Sequence, residues 1–177
     1  EGHDGNIIMI GSSESNDFDI TNPRGSYDIW VVKVDLQGNL VWQKNFGGSS
    51  IEIGYSITKT YDGNYILSGD TRSSDMDVTN FKGNTDFWAI KFDDNAQMIW
   101  EKTFGGSDFE SARDVLELQS NELLISGSSK SNDNQVSENC GQNDVWIALN
   151  DENRNLKSEL SLGGSKLDFA QEAIQLN

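Results

Sequence analysis

The residues best suited to chemistry are pairs of aspartates in polar loops. Asp17 and Asp19 form one pair in NDFDIT, and Asp75 and Asp77 form a second in SDMDVT. Carboxylates two residues apart in a loop are typical ligands of Ca²⁺, which takes about six to eight oxygen atoms. The related loop at residues 132–137 keeps only one carboxylate, so a calcium site is predicted only in the first two copies.

A structural interpretation of these aspartates competes with the calcium hypothesis. Asp28 or Asp86, further along each loop, can complete a ligand set, but the spacing lacks the full pattern of a calcium-binding loop. Short acidic loops more often form turns in which the carboxylate accepts hydrogen bonds from nearby backbone N–H groups. The sequence favours turns and leaves calcium as the alternative, with no other metal or cofactor predicted.

A Gly-Gly phrase raises a second chemical possibility. NFGGSS at residues 45–50 resembles a loop that cradles a phosphate, but the phrase returns as TFGGSD at 103–108 and as SLGGSK at 161–166. A phosphate loop needs a helix N-terminus after it, and the sequence that follows here has the pattern of a strand. The repetition and the acidic surroundings therefore favour a tight turn between structural units.

Other reactive side chains are few. His3 and Cys140 are the only histidine and cysteine, and a nucleophilic pair would require them to be close in space; we expect surface positions instead. The sequence contains no G-x-x-x-x-G-K-[ST], G-x-S-x-G or H-E-x-x-H motif. We therefore predict no catalytic residues and no enzyme. The recurrent tryptophans are a possible sugar-stacking platform, but their register favours packing between sheets: Trp30, Trp42, Trp88, Trp100 and Trp146.

The net charge restricts the partners. The 177 residues include 13 Lys and Arg against 29 Asp and Glu, a formal charge of −16. This charge repels nucleic acid and anionic membrane surfaces, so neither is an expected partner. No apolar run is long enough for a membrane-spanning helix.

The elements that position these residues repeat every 58 residues. Gly47, Gly105 and Gly163 follow this spacing without insertion or deletion, as do several other sets. These sets are Asp28, Asp86 and Asp144; Trp30, Trp88 and Trp146; Gly11, Gly69 and Gly127; Gly25, Gly83 and Gly141; and Asp35, Asp93 and Asp151. The chain therefore holds about three copies of one unit.

Each unit is predicted to form four antiparallel strands. In the central copy, strands are predicted at residues 54–60, 65–71, 86–93 and 98–104, separated by turn signals or a polar loop. The third strand is apolar on both faces, as expected for sheets that stack between two others. The predicted fold is all-β, with four-stranded antiparallel blades of a β-propeller.

The predicted boundaries place about three blades in the sequence. Residues 1–50 form a partial blade, 51–108 and 109–166 form complete blades, and 167–177 contain the first strand of another, at 170–176. Since propellers have about four to eight blades, we expect this segment to belong to a larger ring.

The central unit resembles a repeat of secreted and surface proteins of Bacteroidetes-type bacteria. The resemblance covers nearly the whole chain, and the third unit departs from it at Asn121, Gln135, Leu149 and Ser158. The matching residues of the central unit are Ser56, Ile57, Thr60, Asp62, Gly63, Tyr65, Gly69, Gly83, Asp86, Trp88, Lys91, Asp93, Trp100, Lys102, Gly105, Gly106 and Ser107.

The resemblance implies a β-propeller, often linked to type IX secretion or to adhesive modules. The expected location is extracellular or on the outer-membrane surface. The expected function is a non-catalytic scaffold whose loops bind a protein partner, such as an outer-membrane or secretion complex. The alternatives are a glycan-binding or adhesion module, and a hydrolase whose catalytic residues lie on further blades.

Overall fold

The chain is an all-β protein. A computed structural model describes residues 2–176; Glu1 and Asn177, the outer ends of the predicted segments 1–50 and 167–177, lie outside the described residues. Residues 2–176 contain 11 strands and no helix. The strands are β1 (Ile7–Ser13), β2 (Asp28–Val34), β3 (Leu40–Phe46), β4 (Glu52–Lys59), β5 (Tyr65–Thr71), β6 (Asp86–Phe92), β7 (Met98–Phe104), β8 (Glu110–Glu117), β9 (Leu123–Ser129), β10 (Asp144–Asn150) and β11 (Leu156–Leu162).

The strands form three antiparallel sheets in chain order. Sheet 1 has the order β1-β2-β3, sheet 2 the order β4-β5-β6-β7, and sheet 3 the order β8-β9-β10-β11. Short turns join consecutive strands at one end of each sheet, and long loops at 72–85 and 130–143 cross at the other. Gly38, Ala96 and Arg154 stand one repeat apart in equivalent turns, and all three have a positive φ. The turn geometry is thus kept even where glycine is lost.

Alternating apolar residues hold each sheet against the next. On β6, Trp88, Ile90 and Phe92 pack in a core with sheet 1, whereas Phe87 and Ala89 pack in a second core with sheet 3. All five are fully buried. This confirms the expectation that the third strand of the unit is covered on both faces, and it places sheet 2 between sheets 1 and 3.

The first strand of each full sheet makes the contact with the preceding sheet. β4 packs on β1 and β2, and β8 packs on β4, β5 and β6. A single parallel bridge near the start of each first strand repeats at the same spacing: Tyr27 with Ile51, Thr85 with Phe109, and Asn143 with Leu167. The stacking geometry is therefore the same at each step along the chain.

One predicted strand is not formed. The sequence predicts a strand at residues 170–176, but these residues form no strand. Its backbone is held by isolated contacts, including Ala173 N to Asp114 Oδ2 at 2.9 Å. A β-ladder needs a neighbouring strand, and none of the described residues supplies one on that side. The described residues do not form a closed ring, so the propeller remains a prediction.

Candidate functional site

The acidic loops bind backbone amides of the neighbouring sheet. Asp75 Oδ1 accepts a hydrogen bond from Ser49 N at 2.8 Å, and Asp77 Oδ2 accepts one from Gly47 N at 3.3 Å. Asp77 Oδ1 also lies 2.5 Å from the guanidinium of Arg24. These carboxylates therefore join sheet 2 to the end of sheet 1.

All four amides of the first Gly-Gly-Ser-Ser segment are bound in this way. Each amide has its own side-chain acceptor: Gly47 N donates to Asp77, Gly48 N to Glu52 at 2.8 Å, Ser49 N to Asp75, and Ser50 N to Ser73 at 2.9 Å. The second segment repeats it: Gly105 N donates to Gln135, Gly106 N to Glu110, Ser107 N to Asp133, and Asp108 N to Ser131.

The third aspartate of each predicted ligand set serves its own loop. Asp28 accepts hydrogen bonds from Arg24 N and Gly25 N, at 2.7 and 3.3 Å. Asp86 accepts the equivalent bonds from the two residues one repeat later. Burial raises the pKa of Asp86 to about 6 despite these bonds. Within residues 2–176, no three His, Cys, Asp or Glu side chains are arranged to hold a metal ion.

The outermost copies of this contact are incomplete. Neither the Asp17 nor the Asp19 carboxylate has a hydrogen bond or ion pair within the described part of the chain. Of the amides at 163–166, only Gly164 N has an acceptor there, Asp168 Oδ2 at 2.8 Å. The inner copies of the Gly-Gly pair are buried, whereas residues 163–166 are exposed.

The other candidates from the sequence have structural surroundings. Trp88 and Trp146 are fully buried in the two cores, which confirms their packing role. His3 contacts Tyr65 and Asn64, beside the β4–β5 turn, whereas Cys140 is exposed in the loop before β10 and its N donates to Asp144. Their contacts lie on different sheets, so the described contacts do not form a Cys-His pair.

A groove between sheets 2 and 3 is a further candidate site that the sequence did not indicate. It opens at the end of the long loops and has a volume of about 330 Å³. The residues that line it include Tyr55, Asp70, Arg72, Phe109, Ser111 and Lys130. Phe109 is 41% exposed, and the Arg72 guanidinium lies 5.8 Å from the centre of its ring.

Asp70 anchors the floor of this groove. It is only 8% exposed; its Oδ1 accepts a hydrogen bond from Ala112 N at 2.8 Å and its Oδ2 one from Ser111 Oγ at 3.0 Å. Burial raises the pKa of Asp70 to about 7, against those hydrogen bonds. Between sheets 1 and 2, Ser12 Oγ takes the equivalent bond from Gly54 N at 3.0 Å. The carboxyl therefore replaces a hydroxyl in a structural contact.

Matching β-bulges place two further side chains beside the groove. The registers of β4 and β8 shift at Tyr55 and Arg113, which stand one repeat apart. The Arg113 guanidinium lies 4.0 Å from the centre of the Tyr55 ring, which is close enough for a cation–π contact. A bulge redirects a side chain out of the strand alternation, and here it brings these two side chains together.

The sequence signal for the groove is a departure from the repeat. Positions that hold Ser12, Glu14, Ile51 and Ile53 in one interface hold Asp70, Arg72, Phe109 and Ser111 in the next. Since the first set already satisfies the stacking geometry, the fold does not require the second. Comparing the copies position by position would have singled out this groove.

Comparison with known proteins does not assign the chain. No protein family matches this sequence, and no curated protein shows significant similarity to it. Among residues 2–176 there is also no helix with the length and apolar character needed to span a bilayer.

Proposed function

We propose that this chain is a segment of a β-propeller and acts as a non-catalytic scaffold that binds a protein partner at its long-loop end. The stacked antiparallel sheets and the regular contacts between them support the propeller. The groove lined by Arg72, Phe109 and Lys130 carries the binding role. It is an open concavity where the Phe109 ring meets the Arg72 guanidinium, and where Lys130 pairs with Asp108 at 3.0 Å.

The groove chemistry suggests what the partner presents. Arginine and aromatic residues dominate the binding energy of many protein interfaces. Phe109 offers a partly exposed ring for an apolar or aromatic side chain, and Arg72 offers donors for a carboxylate or carbonyl. Lys130 adds positive charge beside them, although its ammonium already pairs with Asp108 at 3.0 Å. A partner segment with an apolar anchor beside an acidic residue fits this arrangement.

A variant pair tests this proposal. Immobilised chain carrying Arg72→Ala and Phe109→Ala is compared with wild type for capture of proteins from cell envelopes. The matched control carries Glu14→Ala and Ile51→Ala at the equivalent positions of the first interface. We expect a partner that wild type and control retain and the groove variant loses at least about tenfold. Equal capture by all three chains contradicts the proposal.

Glycan binding is the second candidate. Exposed Phe109 beside polar Arg72, Ser111 and Lys130 is also compatible with a sugar stacked on an aromatic ring. A glycan array with the same three chains separates the two functions. A glycan that the groove variant loses and the control keeps, with no protein partner, would replace the first proposal by the second.

The cellular setting and the lack of catalysis are also proposed. The resemblance of the 58-residue unit to secreted and surface repeats of Bacteroidetes-type bacteria supports a location at the cell surface or outer membrane, reached by type IX secretion. The carboxyl of Asp70 has a raised pKa, but both its oxygens accept hydrogen bonds from the fold. Its surroundings therefore support a scaffold over a hydrolase.

A further inference from the structure

The two outer faces of the stack expose apolar side chains that the repeat buries elsewhere. Met9, on the outer face of sheet 1, is 46% exposed, and Leu67 one repeat later is fully buried. Leu162 of sheet 3 is 52% exposed, and Phe104 one repeat earlier is fully buried. On sheet 1 this face contains a mostly apolar hollow of about 350 Å³, lined in part by Trp30 and Met9.

The polar groups on the two faces are complementary. At each inner interface, one sheet supplies the amides of the Gly-Gly segment and the next supplies a serine and acidic or amide side chains. Sheet 3 leaves the amides of Gly163, Ser165 and Lys166 without acceptors in the described chain, and sheet 1 leaves the Asp17 and Asp19 carboxylates without donors. These amides and carboxylates occupy the positions that pair at the inner interfaces, so they are the two halves of one further interface.

The backbone edges are complementary as well. Sheet 1 has three strands, and the edge of β1 that is not paired with β2 has no neighbour among the described residues. The segment 168–175 lies on sheet 3 as β8 lies on sheet 2: Asp168 N donates to Asn143 O as Glu110 N donates to Thr85 O. It occupies the place of a first strand and lacks a second strand beside it.

We propose that a second copy of this chain docks head to tail on the first. Sheet 1 of one copy covers sheet 3 of the other, and residues 168–175 add an antiparallel strand to β1 of the neighbouring copy. The pairing of β4 with β5 predicts the register. Shifting β4 two repeats forward and β5 one repeat back sets Ala170 opposite Gly11 and Ala173 opposite Met9. Asp17 and Asp19 of the neighbour then accept from Ser165 N and Gly163 N.

A second copy fits because it supplies both missing halves at once. The same chain presents the acidic loop and the free β1 edge on one face, and the free amides and the unpaired segment on the other. Sheet 2 separates these faces, so the described residues of one copy cannot bring them together. This inference concerns the outer faces and does not rest on partner binding in the groove.

Two glycines allow a test that spares the fold of one chain. A Cβ added at Gly164 meets only Asp168 Oδ2 at 4.0 Å, whereas one at Gly106 meets Ser131 Cβ at 2.3 Å. A Cβ at Gly11 has no atom within 4 Å, whereas one at Gly69 meets Ile53 O at 2.2 Å. Gly11→Ala and Gly164→Ala are therefore harmless in the single chain and obstructive in the docked pair.

The first measurement is sedimentation of the 177-residue chain over a concentration series. We expect concentration-dependent association that is stronger at higher salt, because each copy carries a charge of −16. Each glycine variant should raise the dissociation constant at least about tenfold, while an exposed turn control, Asn95→Ala, should not. A wild-type chain that stays monomeric to the highest soluble concentration overturns the proposal.

Mixing the variants distinguishes a blocked interface from a damaged chain. The Gly11→Ala chain keeps an intact sheet 3 face, and the Gly164→Ala chain keeps an intact sheet 1 face. An equimolar mixture should form dimers although each variant alone is monomeric. Absence of this rescue, when both variants melt like wild type, contradicts head-to-tail docking.

A disulfide tests the register. Thr60 N bonds to Asn64 O, so the alternation of the ladder makes Ile57 and Leu67 a closely spaced pair without hydrogen bonds, and Ala173 and Met9 its equivalent. In a Cys140→Ser background, a chain with Met9→Cys should form a disulfide with a chain carrying Ala173→Cys. A chain with Ile8→Cys, whose side chain points to the other face, should not. Equal cross-linking of both, or of neither, contradicts the proposed strand pairing.

Discussion

The two interfaces of the stack share one set of contacts and differ in another. Between sheets 1 and 2, and again between sheets 2 and 3, four amides of a Gly-Gly segment bind side chains of the following sheet. Near the bulge, however, the first interface uses the Ser12 hydroxyl and the second the buried Asp70 carboxyl. The amide contacts are therefore common to both interfaces, whereas the group that accepts the amide hydrogen bond near the bulge differs between them.

The turn ends of the interfaces also differ. Lys33 is 2% exposed and lies 2.7 Å from both Asp4 and Asp94, so it ties sheet 1 to a turn of sheet 2. Burial lowers the pKa of Lys33, but the hydrogen bonds with these carboxylates outweigh it and leave the pKa raised. At the second interface Lys91 pairs with Asp62 at 2.7 Å and lies 3.9 Å from Glu117 of sheet 3.

The largest expected effect separates the buried Gly-Gly segments from the exposed one. Gly106→Ala places a methyl group 2.3 Å from Ser131 Cβ and should lower the free energy of unfolding by about 3 kcal/mol or more. Gly164→Ala should change it by less than about 0.5 kcal/mol, measured by urea unfolding at a concentration where the chain is monomeric. Equal losses from both variants would show that the third segment is as constrained as the second.

The next effect tests the hydroxyl against the carboxyl. The pKa of Asp70 is about 7 in the folded chain and about 3.8 without burial, so the native state binds more protons between these values. Its contribution to stability therefore falls as the pH rises from about 4 to about 7. Asp70→Ser should flatten part of this slope and raise the free energy of unfolding at pH 8 by about 2 kcal/mol.

The reciprocal exchange is the control for Asp70. Ser12→Asp introduces a carboxyl at the first interface and should add a fall in stability over the same pH range. Melting temperatures of both variants and of wild type, measured from pH 4 to pH 8, give the three slopes. Identical slopes would mean that burial at this position does not govern the titration.

A smaller effect compares the two lysines. Lys33→Met should lower the free energy of unfolding by about 1 kcal/mol, because it removes a nearly buried ammonium that bridges two carboxylates. Lys91→Met should cost about 0.5 kcal/mol or less, because its partner Asp62 is largely exposed. Thermal unfolding at low and at high salt measures both losses, and a larger loss at Lys91 would reverse the ranking.

The smallest expected effect concerns calcium. Asp75 and Asp77 bind amides, whereas Asp17 and Asp19 have no partner in the described chain. We expect saturating Ca²⁺, compared with chelator, to leave the melting temperature unchanged. A rise that Asp75→Asn abolishes would support the calcium hypothesis for the second loop, and one that Asp17→Asn abolishes would support it for the first.

Sequence patterns predicted most of the fold but not the groove. The 58-residue period and the two-residue alternation gave the positions of the strands and both buried faces of β6. They did not show that Asp75 and Asp77 bind amides, because those partners lie about 26 to 30 residues away. Nor did they locate the groove, because its lining residues come from two sheets and each of these sheets has a bulge beside it.

The repeating unit, its strands and its turns can be predicted from the sequence, because they depend on local spacing and on backbone preferences. Which carboxylates accept hydrogen bonds from amides depends on how the sheets stack. Asp75 and Asp17 occupy equivalent positions of the repeat, but only the Asp75 carboxylate accepts a hydrogen bond from an amide in the described chain. The reason is that the amide donor belongs to the preceding sheet. Likewise, residues 170–176 have a strand pattern and form no strand, because a ladder requires a second chain segment at hydrogen-bonding distance.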